Sequence, residues 1–289
     1  MAIYYYAYSG HKYGLDRVKR AVALIKALRT QEVEVNLLLN DFRAGLAARE
    51  LGVMDSLTVE TILDIDAVAK RGDIVFIDSP EDDKGKLEDY SDEYNPLFCV
   101  VDSCDERVSY DEVIMKPDCD DPTECISSII IESDYFDIAP KEERILFFFG
   151  DADYDKAILS NADFFEDMGM ELLLGHYFFI KYEDDLAKLF DVLHEPEEYR
   201  ELICSSSIVV TFSAQCALDA RAAEANAIYM KKPEDSACLL QEFETFGIKI
   251  IDGFDKEQLI EALDSSFNER KVPNSIISIS KTIKNRINL

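Results

Sequence analysis

The sequence predicts an α/β protein with two parallel-sheet domains, each resembling a Rossmann unit, that face each other across a cleft. Short apolar runs such as AIYYYAY at 2–8 and LFCVVD at 97–102 alternate with helical patterns along the chain. The alternation restarts after the polar segment APKEE at 139–143. Continuous apolar strands separated by helices are typical of a parallel sheet that is covered on both faces.

The first half of the chain shows this alternation from its start. The helix predicted at 15–29 places Val18, Val22 and Ile25 on one face, which is the spacing of an amphipathic helix. Strands are predicted at 2–8, 33–39, 73–78, 97–102, 111–115 and 127–131, and further helices at 41–51 and 60–71.

The second half repeats the pattern after the proline-containing joint, which predicts a linker. We therefore predict an N-terminal domain at 1–140, a second domain at 141–270 and a C-terminal helix at 271–289 that begins near Pro273. The strands of this half are predicted at 144–150, 171–175, 207–212, 227–230 and 249–253, and its helices at 154–168, 182–203, 215–225, 235–246 and 255–266.

Length and charge limit the classes of function. The 289 residues suit two domains of roughly 100–200 residues each. The net charge of −29 argues against partners such as nucleic acid or an anionic membrane surface and favours solubility. No apolar run reaches the roughly 18–20 residues of a membrane span, and the N-terminus lacks the features of a signal peptide. We expect a cytoplasmic protein, and the sequence leaves its oligomeric state open.

The cysteines and acidic clusters do not predict a metal site. The seven cysteines include no CxxC pair, and the chain has three histidines. The acidic segments at 81–94 and 116–125 lack the regular spacing of a calcium loop. We expect free thiols in a reducing compartment, with neither a metal nor a cofactor.

The functional residues are expected in the loops that follow the strands. Open parallel sheets bind ligands beyond the carboxyl ends of their strands. Asp78 and Asp102 each end a predicted strand, where they either face the cleft or cap a turn. These loops lie at 9–16, 78–82, 102–107, 150–155, 175–178 and 212–216.

The loop GDADYDKAIL at 150–159 is one candidate for a phosphate site. Gly150 permits a tight turn, Ala152 is small, and Asp153 is a possible helix cap, so that the first backbone N–H groups of the helix would point towards an anion. A plain strand-to-helix turn is the alternative interpretation. The charges of Asp151 and Asp155 oppose phosphate binding.

The segment that begins TFSAQCALDA at 211–220 is the second candidate. Ser213, Ala214 and Gln215 would allow a phosphate to approach the backbone at a helix start. Asp219 would either accept hydrogen bonds from ribose hydroxyls or be an exposed acid that interacts with the helix dipole. His176, at the end of another strand, would stack on or hydrogen-bond a nucleotide base.

The opening loop SGHKYGLDRVKR at 9–20 is the candidate reactive loop. His11 would be a general base, with an ordinary surface histidine as the alternative, and Gly14 gives the loop flexibility. Asp16 is a candidate helix cap. Arg17 and Arg20 follow in the helix, where arginine can hold a phosphate or carboxylate.

The order of the motifs is similar to that of a known family. The segments IVFID, CVVDSCDE, ILFFFGDADYDKAIL and IVVTFSAQCALDARAAEANAIYM follow one another as they do in the pseudaminic-acid-pathway UDP-sugar hydrolases and related spore-coat polysaccharide proteins. The resemblance runs along nearly the whole chain. It implies the two-domain glycosyltransferase-B fold and a UDP-sugar ligand.

The same resemblance implies roles for individual residues. The family motif Gly-x-Gly-His-x-x-Arg places Asp16 at its second glycine, Arg17 at its catalytic histidine and Arg20 at its arginine. Since arginine stays protonated, it cannot replace that histidine as a base, and His11 or Asp102 would have to do so. The family's nucleotide-contacting glutamate falls on Asp219. Its Gly-Gly-x-Asp turn and its small diphosphate-site residues fall on Gly150, Asp151, Ala152, Asp153, Ser213, Ala214 and Gln215.

Two functions follow from the resemblance. The first is an enzyme of surface-glycan or nonulosonic acid biosynthesis that hydrolyses a UDP-sugar or transfers its sugar, with His11, Arg17 and Asp102 as catalytic residues and Gly14, Arg20 and Asp78 near the substrate. The second is a catalytically degenerate relative that binds a nucleotide sugar or a protein. A dinucleotide-dependent oxidoreductase is disfavoured because no Gly-x-Gly-x-x-Gly follows the first strand.

Overall fold

Two parallel β-sheets organise the chain, which confirms the predicted architecture. The structure is a computed structural model and describes residues 1–102, 109–119, 121, 123–268 and 270–287. The predicted loop 102–107 and its Asp105 lie almost wholly outside the described residues. The two sheets have seven and six strands, and every paired strand runs parallel to its neighbours.

The first sheet is formed by residues 3–127 in the strand order β3-β2-β1-β4-β5-β6-β7. Tyr5 packs on one face, against α1 and α2, and Tyr6 on the other, against Tyr90 and Tyr94. Both faces of the sheet are therefore covered, as its continuous apolar strands predict. Its strands are β1 Ile3–Ala7, β2 Asn36–Leu39, β3 Ser56–Thr58, β4 Ile74–Asp78, β5 Leu97–Val100, β6 Val113–Lys116 and β7 Cys125–Ser127, and its helices are α1 Asp16–Arg29, α2 Phe42–Glu50 and α3 Lys86–Glu93.

The second sheet has the order β10-β9-β8-β11-β12-β13. Separate apolar clusters cover its two faces. Its strands are β8 Glu142–Phe148, β9 Met170–Leu173, β10 Leu193–His194, β11 Ser206–Thr211, β12 Asn226–Lys231 and β13 Lys249–Asp252. Its helices are α4 Ala157–Ser160, α5 Ala162–Phe165, α6 Ile180–Leu186, α7 Tyr199–Ser205, α8 Ala214–Ala222, α9 Ala237–Thr245 and α10 Lys256–Asp264.

The C-terminal helix α11, Ile276–Arg286, packs back on the first domain. Ile276, Ile279 and Ile283 belong to the same apolar cluster as α1. The Lys284 Nζ atom donates a hydrogen bond of 2.8 Å to the carbonyl oxygen of Gln31, just after α1. The two ends of the chain therefore join in one packing layer, while the domain boundaries at residues 140 and 270 stay predictions.

Several elements differ from the sequence prediction. The helix predicted at 60–71 is a short 3-10 helix at Ile62–Ala67, capped by Thr61. The strand predicted at 127–131 ends at Ser127, and its apolar residues Ile129 and Ile131 pack instead in the core of the second domain. The segment predicted as helical at 182–203 is wrong in part, since strand β10 lies between α6 and α7. Strand β3 and helix α3 had no prediction, because they are short.

The cysteine prediction is wrong in part. Cys119 and Cys125 form a disulfide, since the turn between them brings their Cα atoms to 5.8 Å, within disulfide range. Cys238 is also disulfide-bonded, whereas Cys99, Cys204 and Cys216 are free thiols. In the described ranges, no helix combines the length and the apolar character that crossing a bilayer requires. The same ranges hold no group of three or more metal-ligating side chains.

Candidate functional site

The cleft between the two sheets contains two cavities, of about 970 and about 900 Å³. Both volumes lie in the range of small-molecule sites. The loops after β1, β8, β11, β12 and β13 line the first cavity, and the loops after β1, β4, β5 and β12 contribute to the second. The two cavities meet at residues that line both of them: Lys12, Tyr13, Asp16, Lys232 and Glu234.

The first cavity has an aromatic wall. Phe149, Phe212 and Phe254 line it, and the ring centres of Phe149 and Phe254 each lie 5.0 Å from that of Phe212. Phe149 and Phe212 follow β8 and β11 directly, so that the apolar runs of these strands continue into the cavity. Such a wall suits a planar apolar group.

Asp151 is neutralised inside the protein. Its Oδ2 atom lies 2.8 Å from the Lys19 Nζ atom and accepts a hydrogen bond of 3.3 Å from the Leu15 backbone N–H. Burial raises the pKa of Asp151, but Lys19 and His176 outweigh burial and lower it well below its usual range. The charge that we expected to oppose phosphate binding is therefore balanced, and Asp151 joins the domains through α1.

His176 bridges the two domains. Its Nδ1 atom lies 2.9 Å from Asp151 Oδ1, and its Nε2 atom lies 3.4 Å from Glu50 Oε2 on α2. Burial lowers the pKa of His176, but the two carboxylates outweigh it and raise the pKa. The ring is thus held between two acceptors. The predicted contact of His176 with a nucleotide base stays a prediction.

The loop from Gly150 to Asp153 packs closely around this ion pair. Gly150 has a φ of +134°, in the region that favours glycine. Asp153 accepts hydrogen bonds of 2.7 and 3.0 Å from the backbone N–H groups of Ala157 and Ile158, and another from the Tyr182 hydroxyl. The N-cap of α4 is Lys156, not Asp153 as predicted, but Asp153 still occupies the first N–H groups of the helix, which we expected to face an anion.

Asp16 reaches across the cleft to the second domain. Its Oδ1 atom accepts a hydrogen bond of 2.6 Å from the Ser213 hydroxyl, and its Oδ2 atom accepts one of 3.4 Å from the Gln215 backbone N–H. Ser213 is also the N-cap of α8, where its hydroxyl accepts a hydrogen bond from the Cys216 backbone N–H. A carboxylate of the first domain thus lies at the helix start that we predicted as a phosphate site, beside Ala214.

Asp219 is buried and lines neither of the two cavities. It is 2% exposed, and its oxygens accept hydrogen bonds of 2.8 Å from Gln215 Nε2 and 3.1 Å from the Tyr199 hydroxyl. Burial raises the pKa of Asp219 to about 7, although the two hydrogen bonds and Lys19 oppose the rise. The predicted binding of a ribose by Asp219 stays a prediction. In the structure, its carboxylate contacts side chains of its own domain.

Arg17, Arg20, Asp78 and Asp102 form a closed ion-pair network. Arg20 donates from Nε and Nη2 to Asp78, at 2.9 and 2.7 Å, and from Nη1 to Asp102 at 2.9 Å. Arg17 lies 3.1 Å from Asp102 and 3.4 Å from Asp78. Desolvation raises the pKa of Asp102, but Arg20 and Arg17 outweigh it and lower the pKa. Both predicted strand-end acids are paired carboxylates: Asp102 lines the second cavity, whereas Asp78 is buried and lines neither cavity.

His11 lies at the mouth of the first cavity in contact with aromatic rings. Its ring centre is 4.9 Å from that of Tyr177 and 5.8 Å from that of Phe179. Its Nε2 atom lies 3.1 Å from Arg43 Nη2. A guanidinium group donates only, so Nε2 accepts and Nδ1 carries the hydrogen. Neither ring nitrogen then has a free lone pair to act as a base.

Gly14 lies where the two domains contact each other, and its positive φ favours glycine. It has a φ of +67°, and a Cβ atom at this position would lie 3.6 Å from the Asp151 backbone nitrogen.

The sequence predicted this loop as part of the site, but it did not predict that Lys12, Lys232 and the three phenylalanines of the aromatic wall line the cavities. The two lysines could have been predicted, because each lies in a loop that follows the end of a strand.

Searches with the whole chain give structural relatives only. No protein-family model matches it, and no curated protein matches it. The UDP-GlcNAc 2-epimerase of Methanocaldococcus jannaschii, solved in complex with UDP-GlcNAc and UDP, is 12% identical with a TM-score of 0.61, over 99% of this chain and 100% of that one. A putative UDP-N-acetylglucosamine 2-epimerase from Listeria monocytogenes is 11% identical with a TM-score of 0.65, over 99% and 96%. The glycosyltransferase VinC, in complex with dTDP, is 12% identical with a TM-score of 0.50, over 100% and 95%. At these identities the likeness shows the fold, and the chain has the glycosyltransferase-B fold.

Proposed function

We propose that the protein binds a nucleotide sugar, with UDP-linked sugars as the first candidates, in the cleft between its two sheets. The observation that supports this most is the pair of joined cavities, one with an aromatic wall and one lined by apolar side chains together with charged and polar ones. A ligand with a planar base and a sugar fits two such compartments. Structural relatives solved with UDP-GlcNAc, UDP and dTDP agree with this ligand class.

We propose further that the protein holds its ligand rather than converting it. Each of the predicted catalytic residues is engaged with another side chain: His11 with Arg43, and Arg17 with Asp102. A general base needs a free lone pair within reach of the proton that it removes. The degenerate relative therefore fits the described residues better than a hydrolase or a glycosyltransferase does.

One side chain favours the enzymatic alternative. Glu234 lines both cavities, is exposed and forms no hydrogen bond or ion pair with a described residue. A free carboxylate at the junction could activate water or an acceptor hydroxyl. If the protein hydrolyses or transfers a UDP-sugar, we expect Glu234→Gln to abolish the release of UDP.

Calorimetry with UDP and UDP-GlcNAc tests the proposal. We expect saturable binding of one ligand per chain, weakened by Phe254→Ala, which removes part of the aromatic wall. Phe267→Ala is the matched control, because Phe267 packs on the same apolar cluster but lines neither cavity. If a panel of nucleotide sugars gives no binding heat, the proposed function is wrong.

A further inference from the structure

Two lysines from opposite domains line both cavities. Lys12 follows β1 and Lys232 follows β12, and both line both cavities. The Lys12 Nζ atom lies 5.5 Å from the ring centre of Tyr13. The backbone N–H of Lys232 donates a hydrogen bond of 2.7 Å to Asp235, which fixes its loop. Neither ammonium group forms an ion pair with any residue in the described ranges.

The other cations around the cavities are neutralised. Arg17 and Arg20 share Asp78 and Asp102, and Lys231 lies 2.6 Å from Asp252. The chain has 59 acidic residues against 30 basic ones, so a carboxylate is available for most cations. Two unpaired lysines at the centre of such a cleft are therefore suited to an anion from outside the protein.

The acids at the same junction set the charge that this anion must carry. Asp16 is held by Ser213 and Gln215, and the exposed Glu234 has no such partner. Two nearby carboxylates repel any anion that enters. A group with one negative charge gains little against this repulsion, whereas a group with two or more contacts both lysines at once.

The two cavities differ in what they would accept on either side of that anion. The aromatic wall of the first cavity suits a planar group. Charged and polar side chains, among them Arg17, Asp102 and Ser236, form part of the lining of the second cavity. Such donors and acceptors suit the hydroxyl groups of a sugar better than the aromatic wall does.

We propose that Lys12 and Lys232 form a clamp between the domains that binds a diphosphate, whose two substituents enter the two cavities. This inference rests on the proposed function and assigns the residues that hold the linking group of the ligand. The clamp closes only when both lysines reach one ligand, so the diphosphate links the domains as well as binding to them.

Calorimetry on the full chain with UDP, inorganic pyrophosphate and uridine tests the clamp. We expect Lys12→Ala/Lys232→Ala to weaken the binding of UDP and pyrophosphate by roughly tenfold or more, since two charged contacts are lost. Uridine binding should not change. The control Lys70→Ala/Lys281→Ala removes two exposed lysines that line neither cavity, and it separates the local contact from the net charge.

The outcomes separate the clamp from the proposed function. If UDP-GlcNAc binds the wild type and the Lys12/Lys232 variant equally, the clamp is wrong and nucleotide-sugar binding stands. If pyrophosphate binds through these lysines while no nucleotide sugar binds, the clamp stands and the proposed function fails. An equal loss in the control variant, or no binding of UDP or pyrophosphate to the wild type, overturns the clamp. All four lysines are at least partly exposed, so the variants should fold.

Discussion

Replacing Asp219 by asparagine is expected to make the folded protein more stable than the wild type at pH 8, and to change little at pH 4. The carboxyl is buried between Gln215 and Tyr199, and burial raises its pKa from 3.8 to about 7. An acid whose pKa rises on folding binds its proton more tightly in the folded state. Its contribution to stability is therefore largest below pH 3.8 and is lost as the pH rises to about 7.

The size of the effect follows from the pKa change. Each pKa unit corresponds to about 1.4 kcal/mol, so ionising Asp219 in the folded protein costs about 4 kcal/mol at pH 8. Asparagine has nearly the same shape and carries no titrating group. Its oxygen can accept the hydrogen bond from Gln215, and its amide can donate to the Tyr199 hydroxyl oxygen. The variant thus keeps the contacts without the buried charge.

Urea unfolding of both proteins from pH 4 to pH 8 measures the difference. We expect the free energy of unfolding of Asp219→Asn to gain about 4 kcal/mol relative to the wild type across this range. Asp191→Asn replaces an exposed aspartate of the same domain and serves as the control. A stability difference that does not change with pH would show that the pKa of Asp219 is not raised in the folded protein. A stability loss at pH 8 would show instead that the charged carboxylate is needed.

Three other variants test contacts around the cleft. Asp151→Asn should lower the free energy of unfolding by about 3–5 kcal/mol in urea unfolding, because it leaves the buried Lys19 without its counter-charge; an effect below about 1 kcal/mol would contradict the ion pair. Gly175→Ala should cost roughly 1–3 kcal/mol in the same assay, since its Cβ would lie 2.5 Å from the carbonyl oxygen of the residue before Asp151; unchanged stability would contradict this packing. Asp16→Asn should tighten UDP binding roughly fivefold in calorimetry, because removing the charge removes about 1 kcal/mol of repulsion. The amide oxygen can still accept the hydrogen bond from Ser213. Weaker binding would mean that the carboxylate assists the ligand.

Much of the fold could be predicted from the sequence because the strands are continuous apolar runs. Runs such as those around Tyr5 and Phe147 have to be buried on both faces of a sheet. The positions of the strands along the chain and their parallel arrangement therefore follow from the sequence. Short strands such as β3 and β10 carry too few residues to show a pattern. The disulfide of Cys119 and Cys125 depends on a turn that the spacing alone does not specify.

The candidate site was predicted as a set of loops, and the pairing of its side chains was not. Arg17 and Asp102 are 85 residues apart, and their contact depends on how β1 and β5 lie in the sheet. Asp16 and Ser213 meet only because the two domains face each other. Local sequence gives residue types at strand ends, whereas the partner that neutralises each charge is set by tertiary structure.

The most direct question about this protein is whether its cleft binds a nucleotide sugar without converting it. Incubation of the purified chain with UDP-GlcNAc, followed by calorimetry and by chromatography for free UDP and altered sugar, measures both properties on one preparation. We predict saturable binding in the cleft with the nucleotide sugar recovered intact. Release of UDP or a changed sugar would contradict the non-catalytic account, and the absence of binding across a panel of nucleotide sugars would contradict the proposed function itself.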